Sequence, residues 1–186
     1  MRAADVIHSL LLQEVFGLMP DGSGASDAAS SDANTITKEF SLQDPQGKRW
    51  QFFVDFSMCG PAGYTAHQMD PSVVPNPREV WDMSFGTTNG SGSMFVKQGN
   101  RMEFAVMKMI AQICREFVAD KRPALFAFSA ADDAKTTDPR KKDNRAELYL
   151  AMSNRLSKEL NYSLVFHQRK GRQTYFVLKD AAARQP

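Results

Sequence analysis

The sequence predicts an α/β (α+β) domain in which helices cover a mixed, mostly antiparallel sheet, entered through a tethered N-terminal helix. Three observations carry that class. Apolar residues alternate with polar ones over residues 50–56, as Trp50, Phe52, Val54 and Phe56, which is the period of a half-buried strand. From residue 101 to 120 the period changes to 3.6, with Met102, Val106, Met109, Ile110, Ile113 and Phe117 on one face. The stretch Ala124-Leu-Phe-Ala-Phe-Ser-Ala130 behind Pro123 is short and continuously apolar, as a central strand should be.

The remaining elements follow in chain order. Residues 3–18 place Val6, Ile7, Leu10, Leu11 and Val15 at helical spacing, and Gly17 and Pro20 close the segment. Residues 21–34 are almost wholly Asp, Gly, Ser and Ala and cannot bury enough apolar area to offset their ordering entropy. The division expected is helix 1–19, linker 20–35, one domain over 36–180 and a frayed tail at 181–186. The leading helix either docks on its own domain or serves as an arm for a partner protein.

In the domain, Phe40 and Leu42 open a hairpin whose turn is Asp44-Pro45-Gln46-Gly47. Residues 58–77 contain Pro61, Pro71, Pro75 and Pro77 and read as an irregular excursion. A third strand carries Trp81, Met83 and Phe85 on one side, with Asp82 and Ser84 on the polar side. A glycine-rich loop (residues 86–92) leads to the long helix. After the apolar strand comes a charged loop, residues 131–143. Asn144 with Glu147 forms a capping pair for a helix running to Leu160 with Tyr149, Met152 and Leu156 inward. Residues 162–168 and 173–178 form a last hairpin around Arg169-Lys170-Gly171-Arg172. The order is β-β-β-α-β-α-β-β, and strand–helix–strand crossovers leave their strands parallel.

Composition narrows the function. With 42% hydrophobic residues and 10% aromatics, the 186-residue chain can build a core. Its formal charge of +2 identifies no nucleic-acid binder, so any electrostatic role must rest on local clusters. Cys59 and Cys114 make no disulfide framework, and His8, His67 and His167 have no ligand spacing, so no metal is expected. No apolar run nears the roughly 20 residues of a membrane span, so no membrane role is expected. Nucleophile-elbow and nucleotide phosphate-loop motifs are absent from the sequence. If strands 124–130 and 162–168 are parallel, their C-terminal ends share one sheet edge. Arg140, Lys141, Lys142 and Arg145 would then converge with Arg169, Lys170 and Arg172 as an anion or nucleic-acid contact. The bland alternative is a solvated charged loop, partly neutralised by Asp132, Asp133, Asp138 and Asp143.

The order strand, long helix, strand, helix, closing hairpin resembles the GNAT acyltransferase fold. The string Asn144-Arg-Ala-Glu-Leu-Tyr149 is similar to that family's Asn…Ala…Leu-Tyr signature. The resemblance implies that Asn144 contacts coenzyme A, that Tyr149 protonates the leaving thiolate and that acetyl-CoA is the cofactor. Read on its own terms, Asn144 is an N-cap and Tyr149 a core residue. The family's phosphate loop, Arg/Gln-x-x-Gly-x-Gly/Ala, is replaced by Gln98-Gly99-Asn100-Arg101-Met102-Glu103, where Glu103 repels an anion. The Trp81-Asp-Met-Ser-Phe85 strand, the Phe104-Ala-Val helix and the Arg145-Ala-Glu-Leu-Tyr149 string also look like a family of small bacteriophage-encoded proteins and polyprotein modules. That likeness implies a virion or the cytoplasm of an infected host cell as the location. Three functions are therefore expected, in this order. The first is a non-enzymatic phage accessory or virion-associated protein, without cofactor, acting through protein contacts that include residues 1–19. The second is a GNAT-type N-acyltransferase using acetyl-CoA. The third is a nucleic-acid-binding module built on the paired basic loops.

Overall fold

The computed structural model describes residues 34–44, 47–87, 102–131 and 144–183. Strands β1 (Thr35–Gln43) and β2 (Arg49–Met58) form an antiparallel hairpin in register from Thr35↔Ser57 to Gln43↔Arg49. Asp44 closes it, its carboxylate accepting from the Lys48 N–H (2.8 Å) and from Trp50 Nε1 (3.0 Å). Gly47, at φ +82°, occupies the left-handed conformation that the turn requires. The expected alternation holds: Phe52, Val54 and Phe56 are buried on one face of β2.

The first departure follows. Residues 58–77 are not irregular throughout, because helix α1 (Pro61–Met69) lies between β2 and the third strand. The prolines hid it. Pro61 sits at the start of the helix, where its fixed φ and missing N–H are no handicap. Pro71, Pro75 and Pro77 all come after the helix ends, and Pro77 opens a short 3₁₀ turn, Pro77–Glu79. The buried stripe of α1 is Ala62, Gly63 and Ala66, residues too small to announce an amphipathic helix.

Strand β3 (Val80–Thr87) pairs antiparallel with β2, and helix α2 (Met102–Lys121) connects it to β4 (Leu125–Ala131). Helix α3 (Asn144–Leu160) leads to β5 (Tyr162–Lys170) and β6 (Gln173–Asp180). The six-stranded sheet has the order β1-β2-β3-β4-β6-β5, and among the described residues β3–β4 is its one parallel junction. It is a mixed, mostly antiparallel α+β sheet in the expected element order, with α1 added. Strand β6 inserts between β4 and β5, antiparallel to both, so those two run in the same direction without touching. Their C-terminal ends share an edge, since Gln173 is opposite both Ala131 and Lys170.

The hairpin is tighter than its sequence suggested. Arg169 and Lys170 belong to β5, and the turn shrinks to Gly171-Arg172 because Gly171 adopts φ +62°.

Each face of the sheet has its own core. Helices α2 and α3 cover one face, where Phe56 stacks on Phe117 at 3.9 Å between centroids and Ile110, Met152 and Leu156 fill in. Helix α1 covers β3, β4 and β6 on the other, with Ala62 and Ala66 beside Val80, Ala127 and Val177. An irregularity between Leu164 and Phe166 reverses the faces of β5, so Leu164 joins the first core and Phe166 the second.

At the edge where β6 ends, Arg122 ties three elements together. It follows α2 at φ +46°, donates to the carbonyl of Leu160 that ends α3, and pairs with Asp180 of β6, both at 2.6 Å. The Tyr162 hydroxyl donates to the Pro123 carbonyl at 2.7 Å. Burial, with the Asp180 charge adding to it, pushes that phenol up to about 12.

Candidate functional site

The parallel ladder between β3 and β4 is shorter than either strand. It runs from Val80↔Leu125 to Met83↔Phe128, while β3 continues to Thr87 and β4 to Ala131. Beyond Met83, β3 stays paired with β2 through Phe52↔Thr87, and β4 stays paired with β6 through Ala131↔Gln173. The two halves of the sheet therefore separate at the C-terminal ends of the parallel strands, with backbone edges facing one another across the gap. Such a position, where strand ends diverge and connections leave, is where open α/β sheets bind ligands.

The two faces of this opening differ. On the α3 side Tyr149 stands between the halves, its ring centroid 6.2 Å from Phe85 of β3 and 5.6 Å from Phe128 of β4. Phe176 continues the cluster, 5.2 Å from Phe128, and stacks on His167 at 4.8 Å. Tyr149 is 4% exposed and Phe128 fully buried, so this side is packed with aromatic rings. On the opposite side Phe53 lies across the backbone of β3: a Cβ added at Gly86 would come within 2.3 Å of its Cζ. Glycine at 86 is what lets the ring lie there.

One residue before the last ladder pair, Asp82 is buried under the start of α1. Its carboxylate accepts from the N–H groups of Ala62 (2.6 Å) and Gly63 (2.9 Å), which are otherwise unpaired donors of the first helical turn. Burial raises its pKa to about 6, outweighing those two hydrogen bonds, which lower it. Gly60 makes the approach possible, since a Cβ there would lie 2.2 Å from Asp82 Oδ2. Sequence reasoning placed Asp82 on a polar face. The overlooked signal was Gly60-Pro61-Ala62-Gly63, a helix start with nothing local to accept its N–H groups.

Of the residues expected from sequence, Tyr149 reaches the β3–β4 opening and Asn144 is the first residue of α3. Arg169, Lys170 and Arg172 are exposed at the end of the β5–β6 hairpin. Arg145 falls in the first turn of α3, while Arg140, Lys141 and Lys142 lie outside the described residues, as do residues 1–19. Among the described residues, no group of three or more His, Cys, Asp or Glu is placed to hold a metal. No described helix is long and apolar enough to cross a membrane. Cys114 is fully buried in α2, and burial pushes its thiol far above the usual range.

No family model and no curated protein matches the chain. Among solved structures, a chimeric spermidine N-acetyltransferase from Vibrio cholerae and a human-type enzyme aligns over 97% of this chain and 95% of its own, at 10% identity and a TM-score of 0.38. Both figures are too low to transfer a substrate or an activity.

Proposed function

We propose that this chain is an N-acyltransferase of the GNAT type that takes an acyl-coenzyme A thioester into the gap between β3 and β4. The observation supporting this is the ladder that stops at Met83↔Phe128 while both strands run on. An extended pantetheine-like chain can hydrogen-bond to the facing strand edges as an added strand would. The β6 insertion and the single parallel junction are consistent with the resemblance read from sequence.

In the transfer step the lone pair of an acceptor amine attacks the thioester carbonyl, a C–N bond forms and the C–S bond breaks. The Tyr149 hydroxyl gives its proton to the departing thiolate and regains one from the ammonium by way of solvent. Phe85 and Phe128 fix the ring of Tyr149. Asp82 holds α1 against β3.

Thiol release from acetyl-CoA, followed with a panel of primary amines, tests this reading. Wild-type turnover that falls at least 10-fold in Tyr149→Phe, with substrate KM little changed, is expected. Absence of turnover with every amine, in folded protein, would refute catalysis.

A second reading has its own observation. The rings of Phe85, Phe128, Tyr149 and Phe176 pack at 5.2–6.2 Å, and Glu103 stands where a phosphate loop needs a small residue. Both fit a non-enzymatic phage accessory protein whose acyltransferase-like domain works through protein contacts. Deleting residues 1–34 and measuring partner co-purification distinguishes it, because unchanged assembly removes residues 1–19 as the contact.

A further inference from the structure

The end of the β5–β6 hairpin is a concentrated source of positive charge in a nearly neutral protein. Between Glu159 and Asp180 the sequence contains no acidic residue, yet it carries Arg169, Lys170, Arg172 and Lys179. The two bounding carboxylates are already engaged, Glu159 by Arg115 and Arg155, and Asp180 by Arg122. Every residue from His167 to Gln173 is exposed. The two-residue Gly171-Arg172 turn, with Lys170 paired to Gln173, brings these cations close together at the strand ends.

An aromatic surface accompanies the charge. Because β5 reverses its faces after Leu164, His167 lies on the α3 side of the strand and stacks on Phe176 at 4.8 Å with 16° between the rings. One imidazole face is held by Phe176 and the residue as a whole is exposed. Arg169 is two positions further on the same face of the strand. Its Nε donates to the Gly171 carbonyl at 3.3 Å, which orients the guanidinium along the turn.

We infer that this hairpin end binds single-stranded nucleic acid: an unpaired base stacks on His167, while Arg169, Lys170 and Arg172 contact the phosphates on either side. Flat rings interleaved with cations suit a strand whose bases are open for stacking. A lipid surface fits less well, because the hairpin end has no exposed apolar side chain to insert. Among the described residues the large hydrophobic that is exposed is Tyr64, on α1. This surface lies on the same sheet edge as the β3–β4 gap, and strand binding there is tested without any acyl transfer.

Fluorescence anisotropy with labelled 20-nucleotide single strands of RNA and DNA tests the inference, with the matching duplex, heparin and phosphatidylserine vesicles as comparisons. Three phosphate contacts give a log–log salt slope of about −2 on a single strand, so affinity falls about 100-fold between 0.05 and 0.5 M salt. The triple variant Arg169→Gln/Lys170→Gln/Arg172→Gln is expected to abolish both binding and slope. His167→Ala is expected to weaken single-strand binding about 10-fold with the slope unchanged. All four positions are exposed, and an unchanged thermal transition confirms that the variants are folded. Failure to bind either single strand at 0.05 M salt overturns the inference. So does a triple variant that binds like wild type, or vesicle binding without strand binding. Equal affinity for heparin with no effect of His167→Ala would reduce the surface to general polyanion attraction and overturn it as well.

Discussion

Replacing Asp82 by Asn should change how the stability of this protein depends on pH. Asp82 is 3% exposed and its pKa is about 6 in the folded chain, against an ordinary carboxylate value of 3.8. A raised folded value means that the native state holds its proton more firmly than the unfolded state. The stabilisation from this group is therefore complete below about pH 3.8 and is lost as the pH rises through about 6. At roughly 1.4 kcal/mol per pH unit, the difference amounts to about 3 kcal/mol. The assay is urea unfolding of wild type and Asp82→Asn at intervals from pH 3.5 to pH 7.5. Other carboxylates titrate in both proteins, so the difference between the two curves isolates Asp82. Wild type should lose about 3 kcal/mol relative to Asp82→Asn across that range, with the steep part between pH 4 and 6. Parallel curves would refute the claim that burial of the carboxylate outweighs its hydrogen bonds from the α1 N–H groups.

Four other substitutions probe separate parts of the structure. Arg122→Ala leaves Asp180 buried without its guanidinium and the Leu160 carbonyl without its donor; with Arg122 itself 38% exposed, the cost should be about 2 kcal/mol by chemical denaturation, below the range for a fully buried pair. Gly60→Ala drives a methyl group to within 2.2 Å of Asp82 Oδ2 and should cost more than 2 kcal/mol, whereas Gly171→Ala meets no atom within 4 Å and should cost only about 1 kcal/mol, from its φ of +62°. Equal losses at the two glycines, read from their denaturation midpoints, would show that the Asp82 enclosure is not tight. Phe128→Ala empties a fully buried site shared with Tyr149 and Phe176 and should cost about 3–5 kcal/mol in the same assay.

How far the fold could be read from sequence depended on the kind of signal each segment carries. Strand β2 was legible because Phe52, Val54 and Phe56 alternate without interruption, and α2 because Val106, Ile110, Ile113 and Phe117 keep one face apolar over many turns. Helix α1 escaped because its contact stripe is Ala62, Gly63 and Ala66, which bury little area and produce no apolar pattern. Missing α1 also caused Asp82 to be misread: alternation correctly put it on the face opposite Trp81 and Met83, but α1 covers that face. The shared edge of the β4 and β5 tips follows from a strand–helix–strand crossover leaving its strands parallel, yet nothing local in the chain states that β6 inserts between them. Pairing of distant strands is decided by the whole sheet. Tyr149 is singled out by the resemblance of its motif; the gap it stands beside depends on where a ladder stops, which no residue pattern records.

The central claim is that the gap between β3 and β4 receives an acyl-coenzyme A. Amide chemical shifts of ¹⁵N-labelled protein, recorded while acetyl-CoA is added, report on it directly. Saturable shifts concentrated at residues 84–87 of β3 and 129–131 of β4 are the expected result. Uniformly unmoved amides in those two strand ends, at millimolar acetyl-CoA, would contradict it.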